Sequence, residues 1–318
     1  MWCDPCFEAI VIRARVTAVD LKPFFSLARN QLVCRVMKRV LSLILLVGAC
    51  VGVNRASAFD ALVAFGDSLT DTGNEPAEPY AHFEGRWSNG PLWVEYLSVR
   101  LGFDYNPSNN LAHSGAQCDD TFGQVRDYVP EGDINNTLFV VWAGGNDFLQ
   151  EYDKYWFNDA GWDRQIAYSV SSLSNAVVNL HDKGAKSILV PNTVDITTIP
   201  LLNKLPNFLR SYLRAKVVKF NKKLAKAVVA LRASYPDITI YTCDAFALEK
   251  GILKNYKSYG FKKQNTDALS DWKLFDKSFD GPGARYVFWD PIHPTSKSHS
   301  IIADSFYIAI GSPAPLAP

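Results

Sequence analysis

The chain has 318 residues, of which 33 are basic, 32 acidic and 48% hydrophobic. From residue 59 onward it holds 25 basic and 29 acidic residues, a near balance that excludes a dedicated nucleic-acid binder. That stretch has the length of one large domain with an ample core.

Residues 1–58 read as processing signal. Met37, the second of two methionines, begins MKRVLSLILLVGACVGVNRASA: two basic residues, an apolar run from Val40 to Val53, then Ala56-Ser57-Ala58. This is the n-region, h-region and A-x-A pattern of a secretory signal peptide, and the run is too short to span a bilayer as an ordinary helix. Translation is expected to start at Met37, which makes 1–36 an upstream extension or mis-assigned start, 37–58 the signal and 59–318 a single domain. Cys3 and Cys6 form a lone C-x-x-C without the second pair a zinc site needs. Val47-Gly48-Ala49-Cys50 also resembles a bacterial lipobox, which would place a lipid on Cys50. Cleavage after Ala58 is the better match, and both routes export the protein to a periplasmic or secreted location.

From there, short β-rich runs alternate with longer stretches of helical period, the pattern of an α/β domain with a central, mainly parallel sheet. Strands are expected at 60–66, 137–145, 186–192 and 237–242, with a weaker one at 101–106. Their nearly continuous apolar character calls for helices on both faces. Helices are expected at 90–101, 163–183, 206–234 and, after Pro294, 295–309. Within the third, Leu213, Val217, Phe220, Leu224, Val228 and Leu231 recur at helical spacing and face the core. Its other face carries eight basic residues from Arg210 to Arg232; a solvated face is the plain reading, a surface for anionic lipid the alternative. Cys118 and Cys243 remain after cleavage, expected as two buried free thiols although export also permits a pair.

Four segments carry chemistry only when taken together. Phe65-Gly66-Asp67-Ser68 follows the first strand and puts a serine where a turn is expected. Asp290 and His293 stand three residues apart in DPIHP, close enough for the carboxylate to accept from Nδ1 and leave Nε2 for a serine proton. Asn146 in AGGNDF lies where a strand's carboxyl end opens into a loop, and its amide suits an oxyanion. Gly115 in NLAHSGAQ has no side chain to keep a backbone N–H from the same point. His82, His113, His181 and His299 have no aspartate three residues before them, and are expected as ordinary surface or hydrogen-bonded residues; His113 lies near Gly115. Asp67, Asp71, Asn74 and Asp147 are expected to brace turns, and Arg86, Ser88 and Asn89 in GRWSNG either to bind substrate or, the favoured reading, to support the site.

In this order, Gly66-Asp67-Ser68-Leu69, Gly115, Gly144-Gly145-Asn146-Asp147 and Asp290-Pro291-Ile292-His293, with GRWSNG between, resemble the GDSL family of SGNH hydrolases across about 60–309. The resemblance implies a flavodoxin-like three-layer α/β/α fold and hydrolysis of carboxylic esters. It implies Ser68 as nucleophile, His293 as general base and acid and Asp290 as its orienter. It further implies an oxyanion hole of Ser68 N–H, Gly115 N–H and the Asn146 amide, with no metal or organic cofactor. The serine is expected just past a strand, at a helix N-terminus that favours negative charge. The pattern is similar to the lipolytic branch that includes phospholipases, lysophospholipases and hemolysins. Lipid acyl esters are therefore the expected substrate, with peripheral membrane contact as an accompanying possibility.

The aromatic segment at 152–162 and the apolar one at 199–209 fit either an acyl pocket or loops that cover the core. A carbohydrate or small-acetyl esterase and an acyltransferase to an alcohol or sterol share this machinery. A non-catalytic binding protein on the same scaffold is disfavoured, because no catalytic position is missing. Substrate-binding residues and oligomeric state are not legible.

Overall fold

The computed structural model describes residues 59–78 and 80–311; the expected leader at 37–58 and the expected upstream segment at 1–36 lie outside them. Strand β1 (Ala61–Gly66) pairs in parallel with β2 (Thr137–Trp142), from Ala61 opposite Thr137 to Gly66 opposite Trp142. β2 pairs with β3 (Ser187–Leu189), and β3 with β4 (Thr239–Tyr241), all parallel. The expected strand at 101–106 is not formed. Instead Leu111 N–H donates to Ala64 O at 2.8 Å and His113 N–H to Gly66 O at 3.1 Å, so the free edge of β1 is covered by the segment after a 3-10 turn at Pro107–Asn109.

Alternate residues of β1 and β2 point to opposite faces, and both faces are apolar, which is why a helical layer is needed on each. On one face Leu62, Ala64, Leu138, Val140 and Trp142 pack against α1 (Trp93–Leu101) and the C-terminal helix at Ser296–Gly311. Trp93, Trp142 and Phe306 meet edge to face there, with centroids 4.9–5.9 Å apart. On the other face Val63, Phe65, Phe139 and Val141 pack against α2 (Cys118–Asp127) and two long helices. The short α3 (Gly145–Leu149) follows β2, and α4 (Asp159–Asp182) starts where Asn158 accepts from Gly161 N–H at 2.9 Å, an N-cap. α5 (Asn207–Ser234) begins after Pro206 and buries Leu213, Val217, Phe220, Leu224 and Val228, as its period requires.

The result is a three-layer α/β/α sandwich around a parallel sheet, with four of the five expected strands and all four helices expected from apolar period present within a few residues of the predicted bounds. Elements without a clear pattern in sequence are α2, α3, α6 (Ala245–Lys254) and a small parallel pair, β5 (Lys263–Asp267) with β6 (Tyr286–Phe288). α7 (Ser296–Gly311) closes the described chain. On the basic face of α5, Arg214 pairs with Asp195, Lys216 with Asp159 and Lys219 with Asp163, so part of the charge is neutralised within the chain. Cys118 and Cys243 are both free and buried, in the packing layers of opposite sheet faces. Among the described residues no helix is long and apolar enough to cross a membrane.

Candidate active site

The chain leaves β1 through Gly66, where a Cβ would lie 2.3 Å from Trp142 O; only glycine lets the two strand ends approach this closely. Asp67 and Ser68 come next. The expected helix does not follow them: Thr70 and Asp71 N–H both donate to Asp67 O at 2.9 Å in a single turn. The chain then swings away because Asp71 accepts from the backbone of Gly73, Asn74 and Glu75 and from Ser114 N–H and Oγ–H. Asn74 donates to Asn110 O and Ala112 O, so this polar turn is stitched to the segment that leads to Gly115.

β6 delivers the other half of the site. Asp290 Oδ1 accepts from Ile292 N–H and His293 N–H, both at 2.7 Å, which folds four residues into a compact turn. His293 Nδ1 lies 2.7 Å from Asp290 Oδ2, and His293 Nε2 lies 2.8 Å from Ser68 Oγ. All three residues are buried, at 9% exposure or less. Burial alone would push the Asp290 carboxyl up, but the His293 charge and the bonds from His293 and His82 outweigh it and hold the carboxyl well below the usual range. Asp290 therefore stays ionised beside an imidazole whose Nε2 faces the serine.

Asn146 lies in the first turn of α3, one residue after Gly145, and its Nδ2 donates to Ala116 O at 3.0 Å, which fixes the amide plane and leaves a second N–H. Gly115 has φ +83°, in the left-handed region, and its carbonyl accepts from Gln150 Nε2 at 2.7 Å. Two hydrogen bonds thus tie the Gly115 segment to α3. Asp147 sits behind them, accepting from Cys118 N–H at 3.1 Å and from Ser169 Oγ–H at 2.5 Å, a brace as expected. Burial, the larger influence, pushes the carboxyl of Asp67 up to about 6, although Leu69 N–H and His293 act to lower it. His113 lines a separate polar groove with Ser114 and Gly115.

The GRWSNG residues are spent on support. Arg86 clamps Glu95 of α1 through Nε and Nη2 at 2.9 and 2.8 Å, Ser88 donates to Pro294 O, and Asn89 bridges Phe279 O and Ser296 N–H. Trp87 and His82 were not marked as site residues by sequence. The Trp87 ring lies 5.1 Å from the His293 ring and 4.8 Å from that of His82. His82 Nε2 is 3.1 Å from Asp290 Oδ2. No local signal marks this contact, since 208 residues separate the partners.

Ser68, Asn146 and His293 open into a cavity whose walls are Leu69, Leu149, Val194, Ile196, Ile199, Leu248, Ile252, Val287, Ile292 and Ile302, with Glu249 among them. Ile199 commits the start of the 199–209 segment to the cavity wall. The 152–162 segment instead packs over the core, with Tyr155 against Trp162 and Trp156 against Tyr212. Among the described residues no group of three or more His, Cys, Asp or Glu is placed to hold a metal ion.

The family model for GDSL-like lipase/acylhydrolase matches residues 62–306. The chain belongs to this family, and so to the carboxylic ester hydrolases. It is 25% identical over 274 residues to the thermolabile hemolysin of Vibrio parahaemolyticus, covering 76% of this chain and 62% of that protein. A GDSL esterase/lipase of Arabidopsis thaliana is 24% identical over 337 residues, covering 81% of this chain and 92% of the plant protein. Similar solved structures include the acetylxylan esterase Axe2 of Geobacillus stearothermophilus, 18% identical with a TM-score of 0.47 over 81% of this chain and 97% of that one. The lipase Lip_vut3 from a goat rumen metagenome is 16% identical, with a TM-score of 0.47 over 78% of this chain and 96% of its own.

Proposed function

We propose that this GDSL hydrolase is an exported serine esterase that cleaves lipid acyl esters, with Ser68, His293 and Asp290 as its triad. The observation that carries the reading is the unbroken Ser68–His293–Asp290 hydrogen-bond chain at the mouth of an apolar cavity. Ser68 Oγ attacks the ester carbonyl carbon as its proton passes to His293 Nε2. The oxyanion takes hydrogen bonds from the N–H groups of Ser68 and Gly115 and from the remaining N–H of Asn146. On collapse the carbon–oxygen bond to the alcohol breaks, and the imidazolium returns its proton to that leaving oxygen. Water then attacks the acyl-serine, giving its proton to His293; Ser68 recovers a proton as the acid departs.

Aliphatic walls beside the serine favour an acyl chain over an acetyl group, because burying each methylene contributes about 0.8 kcal/mol. The name of the Vibrio hemolysin and the esterase/lipase names of the plant relatives support the same direction. Export rests on the leader at 37–58, and cleavage after Ala58 would leave Phe59 as the first residue.

The test is hydrolysis of p-nitrophenyl esters of graded chain length and of lysophosphatidylcholine by the chain from Phe59, beside a folded Ser68→Ala variant. Turnover that rises with acyl length and vanishes in the variant supports the reading. A preference for acetate would move the substrate to small acetyl esters, and full turnover by Ser68→Ala would remove the serine mechanism.

A further inference from the structure

We propose that His82 is a positioning residue of this site, a second imidazole that holds the triad carboxylate through the same oxygen that faces His293. The inference rests on the triad reading above. His82 Nε2 reaches Asp290 Oδ2 at 3.1 Å, the same oxygen that takes the His293 Nδ1 proton at 2.7 Å. Both side chains of the His82–Asp290 pair are under 10% exposed, so no water layer screens the contact. His82 Nδ1 is buried without a hydrogen-bond partner, and a proton there would be stranded. The ring therefore carries its proton on Nε2 and donates it to Asp290.

With that bond, all four hydrogen bonds to Asp290 have assigned donors. Oδ1 is held by the backbone of Ile292 and His293, and Oδ2 by the two rings. Such a carboxylate cannot rotate about its χ2 without losing several charge-assisted bonds, so His293 keeps one tautomer and one tilt. The placement of His82 is itself built in. Its N–H donates to Glu78 O at 3.0 Å, and Trp289 Nε1 donates to Ala81 O at 2.8 Å, tying the His82 loop to the end of β6 one residue before Asp290. Trp87 fills the space beside both rings, packing on His82 at 4.8 Å and His293 at 5.1 Å between centroids. Partners that orient a metal-bound imidazole typically cost tenfold to a hundredfold when removed, and His82 stands in a like relation to His293 through the shared carboxylate.

The test compares His82→Phe, which keeps the ring volume without a donor, with His82→Gln, whose amide nitrogen occupies the position of Nε2. In His82→Phe we expect kcat on a p-nitrophenyl ester to fall about 10-fold to 100-fold with KM within about twofold. The downfield proton resonance between His293 and Asp290 should move with it. In His82→Gln both should return most of the way to wild type. A wild-type kcat in His82→Phe, or a Gln variant no better than Phe, would overturn the proposal. If Phe does not fold, His82→Ala takes its place in the comparison; failure of both to fold would make His82 a core residue and equally overturn it. Wild-type hydrolysis that survives Ser68→Ala removes the triad reading itself, whereas Ser68-dependent hydrolysis untouched at His82 removes only this role.

Discussion

Asp290 shows how a single side chain is tuned by competing effects. Burial disfavours its charge, yet two imidazoles and two backbone N–H groups reverse the balance. Asp290→Asn should therefore preserve the fold while reversing the tautomer of His293, with kcat lower by about 10⁴. Asn146→Ala should cost about 10²–10³ in kcat, since the proposed oxyanion hole loses one donor and KM is not the quantity it sets; steady-state kinetics check both. Glu249 runs the other way. Burial, together with the Asp195 charge, pushes its carboxyl up to about 8 from 4.5. Thr198 Oγ lies 2.8 Å from Asp195 O and 3.0 Å from Glu249 Oε1, and its one proton serves only one of them. A protonated Glu249 supplies the missing hydrogen and still accepts Asp195 N–H at 2.6 Å. With a folded value above the unfolded one, this group's stabilisation is complete below about pH 4.5 and is lost as pH rises through about 8. Glu249→Gln reproduces the protonated form, so its stability relative to wild type should grow between pH 5 and pH 9. Thermal unfolding at the two pH values reads it, each 1 kcal/mol showing as about 2–4 °C. The Asp290–His293 contact was legible because three residues separate the two within one turn, whereas Ser68 stood out only through the order of four segments and the family they resemble. His82 and Glu249 were not, because each acquires its partner only through folding across 208 and 54 residues.

At the scale of elements, long periodic segments were readable and short ones were not. α4 and α5 announce themselves through an apolar stripe of many turns. α2 is ten residues, opens Cys-Asp-Asp and contains Gly123; its buried positions Cys118, Thr121 and Val125 share one face, but the stripe is short and one member is a polar threonine, so it does not stand out in sequence. α6 was missed for the same reason, although it supplies Leu248 and Ile252 to the cavity. The helix expected after Ser68 gave way to one turn because Asp71 is committed to five nearby donors, more than a helical backbone would offer it. Ile252 is 3% exposed and lines the cavity, so Ile252→Trp should fill it and move the chain-length optimum toward short esters. The ratio of kcat/KM for decanoyl and acetyl p-nitrophenyl esters checks this, and an unchanged ratio would place the acyl chain elsewhere.

Across the whole molecule, the sheet is the device that gathers the site. Its strands are parallel, so β1 and β2 present their carboxyl ends together, and Ser68 and Asn146 meet there although 78 residues of chain numbering part them. β6, from the small second sheet, brings His293 to the same edge. Residues 59–311 contain both packing layers, so the chain from Phe59 should fold cooperatively on its own, which calorimetry would show as one transition. The central claim is that Ser68 is the group acylated during turnover. It is tested most directly by treating the active chain with diethyl p-nitrophenyl phosphate and mapping the adduct by peptide mass spectrometry. One diethylphosphoryl group, on Ser68, is expected to appear in step with the loss of ester hydrolysis. Loss of activity with Ser68 unmodified, or a fully labelled Ser68 with activity intact, would contradict it.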